Sequence, residues 1–179
     1  MGRRIRAVAA LAVALLCGYA ALLRIPLPFT PVPITLQTLV LMVGAYTLGR
    51  QYAVQMALWY LGLGAVGLPF FSGGKSGWAV LAGPTGGYLV GFALAAAFIG
   101  YCRPTRTALR STLTLFSLAH LIIYSCGAGW LAWLLQLNFK SVLTMGVWPF
   151  LAGDLLKCLV AAALVGGWQQ QAAKKNKDS

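Results

Sequence analysis

Apolar residues fall into six long runs separated by short breaks of proline, glycine and basic residues. The runs cover residues 5–23, 34–48, 52–68, 86–101, 112–135 and 142–168. A helix that crosses a bilayer needs ~20 apolar residues, and ~17 is a practical minimum. Five of the runs come near that length, and the second is short. Only Gly49-Arg50-Gln51 separates the second run from the third, which predicts a tight antiparallel hairpin. The first run follows Arg3, Arg4 and Arg6 and has the outline of a signal peptide. It lacks a small-x-small cleavage site followed by a soluble domain, and Leu16 stands where a lipoprotein box before Cys17 needs a small residue. "GRRIR" likewise lacks the rest of a twin-arginine signal. The run reads as a first transmembrane helix.

Composition agrees with this pattern. Of 179 residues, 60% are hydrophobic and 9% charged, and the mean hydropathy is +0.80. A soluble domain carries ~25% charged residues. The expectation is an all-α integral membrane protein, residues 1–179 forming one domain of six transmembrane helices in the cell membrane.

The net charge of +12 does not mark a nucleic-acid partner, because the basic residues sit at the ends of apolar runs rather than in a patch. There they set orientation and meet anionic lipid. With six spans, one side collects Arg3, Arg4, Arg6, Arg50, Arg103, Arg106, Arg110, Lys174, Lys175 and Lys177, ten in all. The other side has Arg24, Lys75 and Lys140, and Lys157 lies inside the last run. A split of ten to three predicts that both termini are cytoplasmic.

The outward loops are unusual. "RIPLPFTPVP" carries four prolines and cannot be helical through its middle. It is expected to fold back as a lid or hairpin. "LPFFSGGKSGWAVLAGPTGG" is rich in glycine and aromatics. Non-helical backbone near membrane depth is tolerated only where protein buries it or where it lines a cavity. Two such stretches predict a pocket that opens outward. Trp59, Tyr60, Phe70, Phe71, Trp78 and Tyr88 cluster around the glycines, as in a small-ligand site. Interfacial anchoring is the plainer role for some of them.

The four cysteines, Cys17, Cys102, Cys126 and Cys158, show no CxxC spacing. With one histidine in the chain they read as buried thiols, and no metal site is expected.

The only acids are Asp154 and Asp178, and Asp178 lies among lysines beside the C-terminus. Asp154 is thus the one acid in the body of the chain, within "WPFLAGDLLKCLVAAALVGGW". Asp154 and Lys157 are i,i+3 and share a helix face. A charge at mid-membrane costs roughly 2.5–3.5 kcal/mol on insertion scales and marks a functional site by default. An ion pair that locks two helices is the plainer reading, but a pair on one helix locks nothing by itself. Together the two groups offer an acceptor and a donor to a polar small molecule.

"GGKSG" has two partial likenesses. A phosphate-binding loop needs a glycine five positions before Gly74, where Pro69 stands. Gly74-Lys75-Ser76-Gly77 also fits the GxSG pattern of a serine nucleophile, with His120 as a base. That would make an intramembrane serine hydrolase of the rhomboid kind. Ser76, however, falls in a loop rather than at a helix start, and nucleophile and base have to meet. Ala10, Ala14 and Gly18 form a series of small residues four apart, which lets helices approach closely.

"IPLPFTPVPITLQTLV", "YLGLGAVGLPFFSGGKSGWAVLAGPTGGYLVGF" and "FLAGDLLK" together resemble the signature segments of the BioY family, the biotin-specific substrate-binding (S) components of energy-coupling-factor (ECF) transporters. The resemblance runs from the first span to the last. It implies a six-helix membrane protein, not an enzyme, that captures biotin from outside. It implies as partner an ECF module of one transmembrane coupling protein and two cytoplasmic ATPases. The chain has no nucleotide motif and no expected cofactor; ATP is used only by the partner. The family's AxxxA docking motif on the first helix corresponds to Ala10 and Ala14, with Gly18 extending the same face.

Biotin's ureido ring presents two N–H donors and a carbonyl acceptor. Asp154 would accept from the N–H groups. Lys157 would donate to the ring carbonyl or to the valerate carboxylate. Arg24 and Lys75 are candidates for the carboxylate if Lys157 takes the ring. Thr35, Gln37 and Thr85 would add hydrogen bonds, and Tyr88, Trp78 and Phe71 would pack on the bicycle. An S component for another vitamin, the hydrolase, and a purely structural membrane subunit are the competing readings.

Overall fold

The computed structural model describes residues 2–104 and 108–175, with side chains of the last helix through Gln171. Arg106, Lys177 and Asp178 lie outside the described residues, as do the side chains of Lys174 and Lys175. The described chain is mostly helical: α1 (Arg3–Leu22), α2 (Gln37–Leu48), α3 (Arg50–Ala65), α4 (Trp78–Ala82), α5 (Gly86–Cys102), α6 (Leu109–Leu135), α7 (Phe139–Gly146) and α8 (Trp148–Lys175). Three stretches are long and apolar enough to cross a membrane: Arg3–Leu22, Leu109–Leu135 and Trp148–Gln171. α2 and α5 are apolar but shorter. At ~1.5 Å rise per residue the 12 residues of α2 reach only ~18 Å.

The proline-rich loop does fold back. β1 (Arg24–Ile25) pairs antiparallel with β2 (Ile34–Thr35), Arg24 opposite Thr35. This ribbon takes Ile34 and Thr35 out of the second expected span, so α2 begins at Gln37. The glycine-rich loop makes a tight turn in which the Phe71 amide donates to the Lys75 carbonyl at 3.0 Å. It then runs through the single turn of α4 into α5.

The hairpin between α2 and α3 needs glycine at position 49. Its φ of +76° is a conformation that other residues rarely adopt. Arg103 lies against it and donates to the carbonyls of Tyr46 at 2.8 Å and Thr47 at 3.2 Å. A cation thus satisfies the open carbonyl end of α2, where the helix dipole favours one.

The sixth expected span, 142–168, is corrected. Its first residues belong to α7, and the helix breaks at Val147 (φ −131°, ψ −63°) before α8. Pro149 is the cause: it has no N–H to give and fits only the first turn of a helix. The Gly146 carbonyl freed by the break accepts from Tyr88 Oη at 2.7 Å.

The interior is built on Tyr46, Tyr60, Phe71 and Phe116, all without exposed surface beyond 2%. Tyr46 meets Phe116, and Tyr60 meets Phe71, edge to face at 6.0 and 5.9 Å. α5 and α6 approach closely at Gly91, where a Cβ would come within 2.9 Å of Ile123 Cα. The outer faces of the long helices are apolar; Leu155 and Leu156 of α8 are each 61% exposed. Such a surface suits lipid and not water.

The small face of α1 turns inward. Ala10 and Ala14 have no exposed surface. Gly18 is covered by the Phe70 ring, which lies where a Cβ would be. These residues pack inside the chain.

Candidate functional site

The cavity opens among α2, α5, α6, α8 and the two irregular loops, with about 590 Å³ of empty space counted through its mouth. Val32, Pro33 and Ile34 of the ribbon form one wall, and Leu89, Phe92, Ile123 and Phe150 give an apolar lining from the helices.

Its ionised centre is on α8. Lys157 Nζ stands 2.7 Å from Asp154 Oδ1, and both residues are only 8% exposed. Two unpaired charges in such a place would be prohibitive, so they neutralise one another. Tyr124 of α6 donates to Asp154 Oδ2 at 2.5 Å. Asp154 therefore accepts one strong bond on each oxygen and keeps lone pairs for a ligand. Lys157 has two further N–H groups to give.

His120 lies behind this centre. Its Nε2 is 3.7 Å from Asp154 Oδ2, and its Nδ1 faces the Phe116 carbonyl at 3.1 Å and Cys158 Sγ at 3.4 Å. It lines a second, lateral depression with Ser117, Leu151 and Leu155 rather than the cavity. Among the described residues no hydrogen bond joins it to Ser76, which sits beyond the Phe71–Lys75 turn. The nucleophile and base of a hydrolase are not brought together.

The other polar groups come from the start of α2. Thr35 Oγ1 donates to Gln37 Oε1 at 2.9 Å, and Gln37 Nε2 donates in turn to the Tyr60 hydroxyl. Thr35, Gln37, Phe71, Thr85, Tyr88, Asp154 and Lys157 all stand on the cavity wall, as the sequence reading grouped them. Tyr88 is held by the Gly146 carbonyl and by an edge contact with Phe150, so its ring, not its hydroxyl, is offered to the cavity.

Three residues of that reading stand apart from the wall. Trp78 is 72% exposed. Arg24 is exposed on β1, its guanidinium stacked against the backbone of Gly73. Lys75 is exposed at the end of the turn. Lys157 is thus the one cation among the described residues of the wall.

Sequence reasoning missed Tyr124, Thr38 and Ser72. Tyr124 follows His120 by one turn of α6, a polar pair on one face that could have signalled it. Thr38 and Ser72 line the cavity with hydroxyl oxygens that are buried and have no hydrogen-bond partner. Nothing in the local sequence distinguishes them from other hydroxyl residues.

Comparison with known proteins bears on the family and the fold. A model described as the BioY family matches residues 3–174. "Biotin transporter BioY" of Thermotoga maritima is 38% identical over 140 residues, covering 78% of this chain and 82% of that protein. "Biotin transporter BioY" of Rhizobium etli is 35% identical over 173 residues, covering 92% of each. Among solved structures, the S-component for biotin from an ECF-type ABC transporter superposes with a TM-score of 0.86 over 95% of both chains. At 24% identity that likeness speaks for the fold.

Proposed function

The chain belongs to the BioY family, and on that premise we propose that it captures biotin in the Asp154–Lys157 cavity as the substrate-binding subunit of an ECF-type transporter. It is a transporter component and not an enzyme. The single observation that carries the reading is the neutralised pair Asp154–Lys157 set into a largely apolar cavity. A ureido ring asks for an acceptor facing its two N–H groups and a donor facing its carbonyl, and Asp154 and Lys157 offer these side by side. Charge-assisted bonds in a water-poor pocket are strong and selective. The apolar wall from Phe71, Leu89, Phe92 and Phe150 suits the bicycle and the aliphatic tail.

In this reading α1, α2, α3, α5, α6 and α8 cross the cell membrane as one domain, with both termini in the cytoplasm. The ten-to-three distribution of basic residues supports that orientation. The cavity mouth, roofed by the 24–35 ribbon and the 69–85 loop, then faces outward. Energy for release comes from an ECF module of a coupling protein and two ATPases. The chain itself binds no cofactor.

The test is equilibrium binding of labelled biotin to the purified full chain in detergent without ATP, with Asp154→Asn alongside and other vitamins as competitors. Saturable binding, lost in the variant and displaced only by biotin, is expected. No binding by folded wild type, or equal binding by the variant, would overturn the reading.

A further inference from the structure

Hydroxyl residues in the helices of this chain mostly bond back to their own helix. Thr47 donates to Val43 O at 2.8 Å, Thr114 to Arg110 O at 3.0 Å, Ser125 to Leu121 O at 2.8 Å and Thr144 to Lys140 O at 2.9 Å. Thr38 does not. It stands in the first turn of α2, four residues after Ile34, which belongs to the ribbon and not to the helix. Its Oγ1 has no partner although the residue is only 6% exposed, and it lines the cavity. A buried hydroxyl without a bond is a cost that the empty protein carries and that a ligand can remove.

The position of Thr38 says which part of the ligand it meets. α2 and α8 touch at Met42 and Cys158, whose sulfurs are 4.0 Å apart, and again at Tyr46 and Gln169. Residue numbers rise together at these contacts, so the two helices run side by side in one direction. Thr38 is one turn before Met42, as Asp154 is one turn before Cys158. Thr38, Asp154 and Lys157 also stand on the wall of the same cavity, so the unpaired hydroxyl faces the space that the ion pair faces. It is joined there by the open amide end of α2. Within the helix the first backbone bond comes from Val40, and among the described residues the Thr38 and Leu39 amides have no recorded acceptor. A helix N-terminus favours an oxygen that carries negative charge.

We propose that Thr38 is a specificity-determining residue whose hydroxyl, with Lys157, donates to the ring carbonyl oxygen of the bound ligand. This rests on the biotin reading above. Asp154 would face the ring N–H groups, while Lys157 and Thr38 converge on the oxygen between them. Lys157 gives one N–H to Asp154 at 2.7 Å and can give another to the ring carbonyl, whose oxygen has a second lone pair to fill. Thr38 supplies the donor for it.

The experiment measures binding of three ligands to the full chain in detergent: biotin, biotin methyl ester, and the biotin analogue with a ring thiocarbonyl, a much weaker acceptor. Thr38→Val keeps the shape and removes the hydroxyl. It is expected to weaken biotin and its methyl ester by the same factor, about tenfold. The thiocarbonyl analogue should lose less than threefold. Thr38→Ser should bind biotin within threefold of wild type. Without ligand, Thr38→Val should melt no lower than wild type, because the hydroxyl makes no bond to lose. Unchanged biotin affinity in Thr38→Val would overturn the proposal. So would a loss seen with the free acid and absent with the ester, which would put Thr38 at the tail. A lowered melting point with equal losses for all three ligands would make the residue structural. Wild type that binds no biotin would overturn the biotin reading itself.

Discussion

Tyr124 donates its phenolic hydrogen to Asp154 Oδ2 at 2.5 Å, across the seam between α6 and α8. The ion pair with Lys157 lies within one helix and fastens nothing, but this bond ties two helices at the ligand site. Asp154 thus has a packing role and a binding role at once, and substitutions can separate them.

Tyr124→Phe removes the cross-helix donor and leaves the ion pair. The expected effect is a loss of roughly 1–3 kcal/mol in stability, the usual cost of stranding a buried acceptor. It would be read as a lower thermal midpoint of the empty protein in detergent. Added biotin should still raise that midpoint, since binding to the folded state stabilises it. A variant as stable as wild type would show that the bond contributes nothing.

Asp154→Asn keeps the shape but ends the charge, so both the Lys157 pairing and the charge-assisted bonds to a ureido ring are lost. Biotin affinity is expected to fall about 100-fold, at ~1.5–3 kcal/mol for a hydrogen bond to a charged group. Lys157→Ala should lose binding to a similar degree and destabilise the protein more, because it leaves a buried carboxylate alone. Titration calorimetry or labelled-ligand binding on each folded variant checks this. Wild-type affinity in either one would remove the pair from the site.

Ser76→Ala tests the competing hydrolase chemistry. Among the described residues no hydrogen bond joins Ser76 to His120, and Ser76 is not on the cavity wall. Biotin affinity should stay within twofold of wild type in the same binding assay. A loss beyond tenfold would bring Ser76 itself into the site.

Gly91→Val forces α5 off α6, because a Cβ there would stand 2.9 Å from Ile123 Cα. Tyr88, Leu89 and Phe92 lie on one of these helices and Ile123 and Tyr124 on the other, all on the cavity wall. Close helix approach in membranes depends on such small residues. The variant should melt several degrees lower and bind biotin weakly; wild-type behaviour in both measurements would show that the seam yields freely.

Arg103→Ala should act on the fold alone. It strips the donor from the Tyr46 and Thr47 carbonyls at the end of α2, a loss of about 1–2 kcal/mol. The thermal midpoint falls, while biotin affinity of the folded fraction is unchanged.

The sequence alone determined what local spacing can determine. Apolar runs ending in basic residues required helices facing lipid. Proline and glycine required the ribbon and the turned loop, and Gly49 the hairpin. Asp154 and Lys157, three apart, had to share a face. A lone acid in an apolar helix needs a reason, and that need was legible before any coordinates. Tertiary structure decided the rest, because helical periodicity says which residues share a face and not what that face will meet. Ala10, Ala14 and Gly18 suit a partner helix or a neighbouring one equally well, and packing turned them inward against the chain. Arg24 and Lys75 carry the right charge for a carboxylate, but the loops hold them outside the cavity. Tyr124 reaches Asp154 from 30 residues away. Thr38 and Thr47 share α2, but Thr47 finds a helical carbonyl four residues before it while Thr38, in the first turn, has only the ribbon's Ile34 there, and so one hydroxyl is left unpaired on the cavity wall.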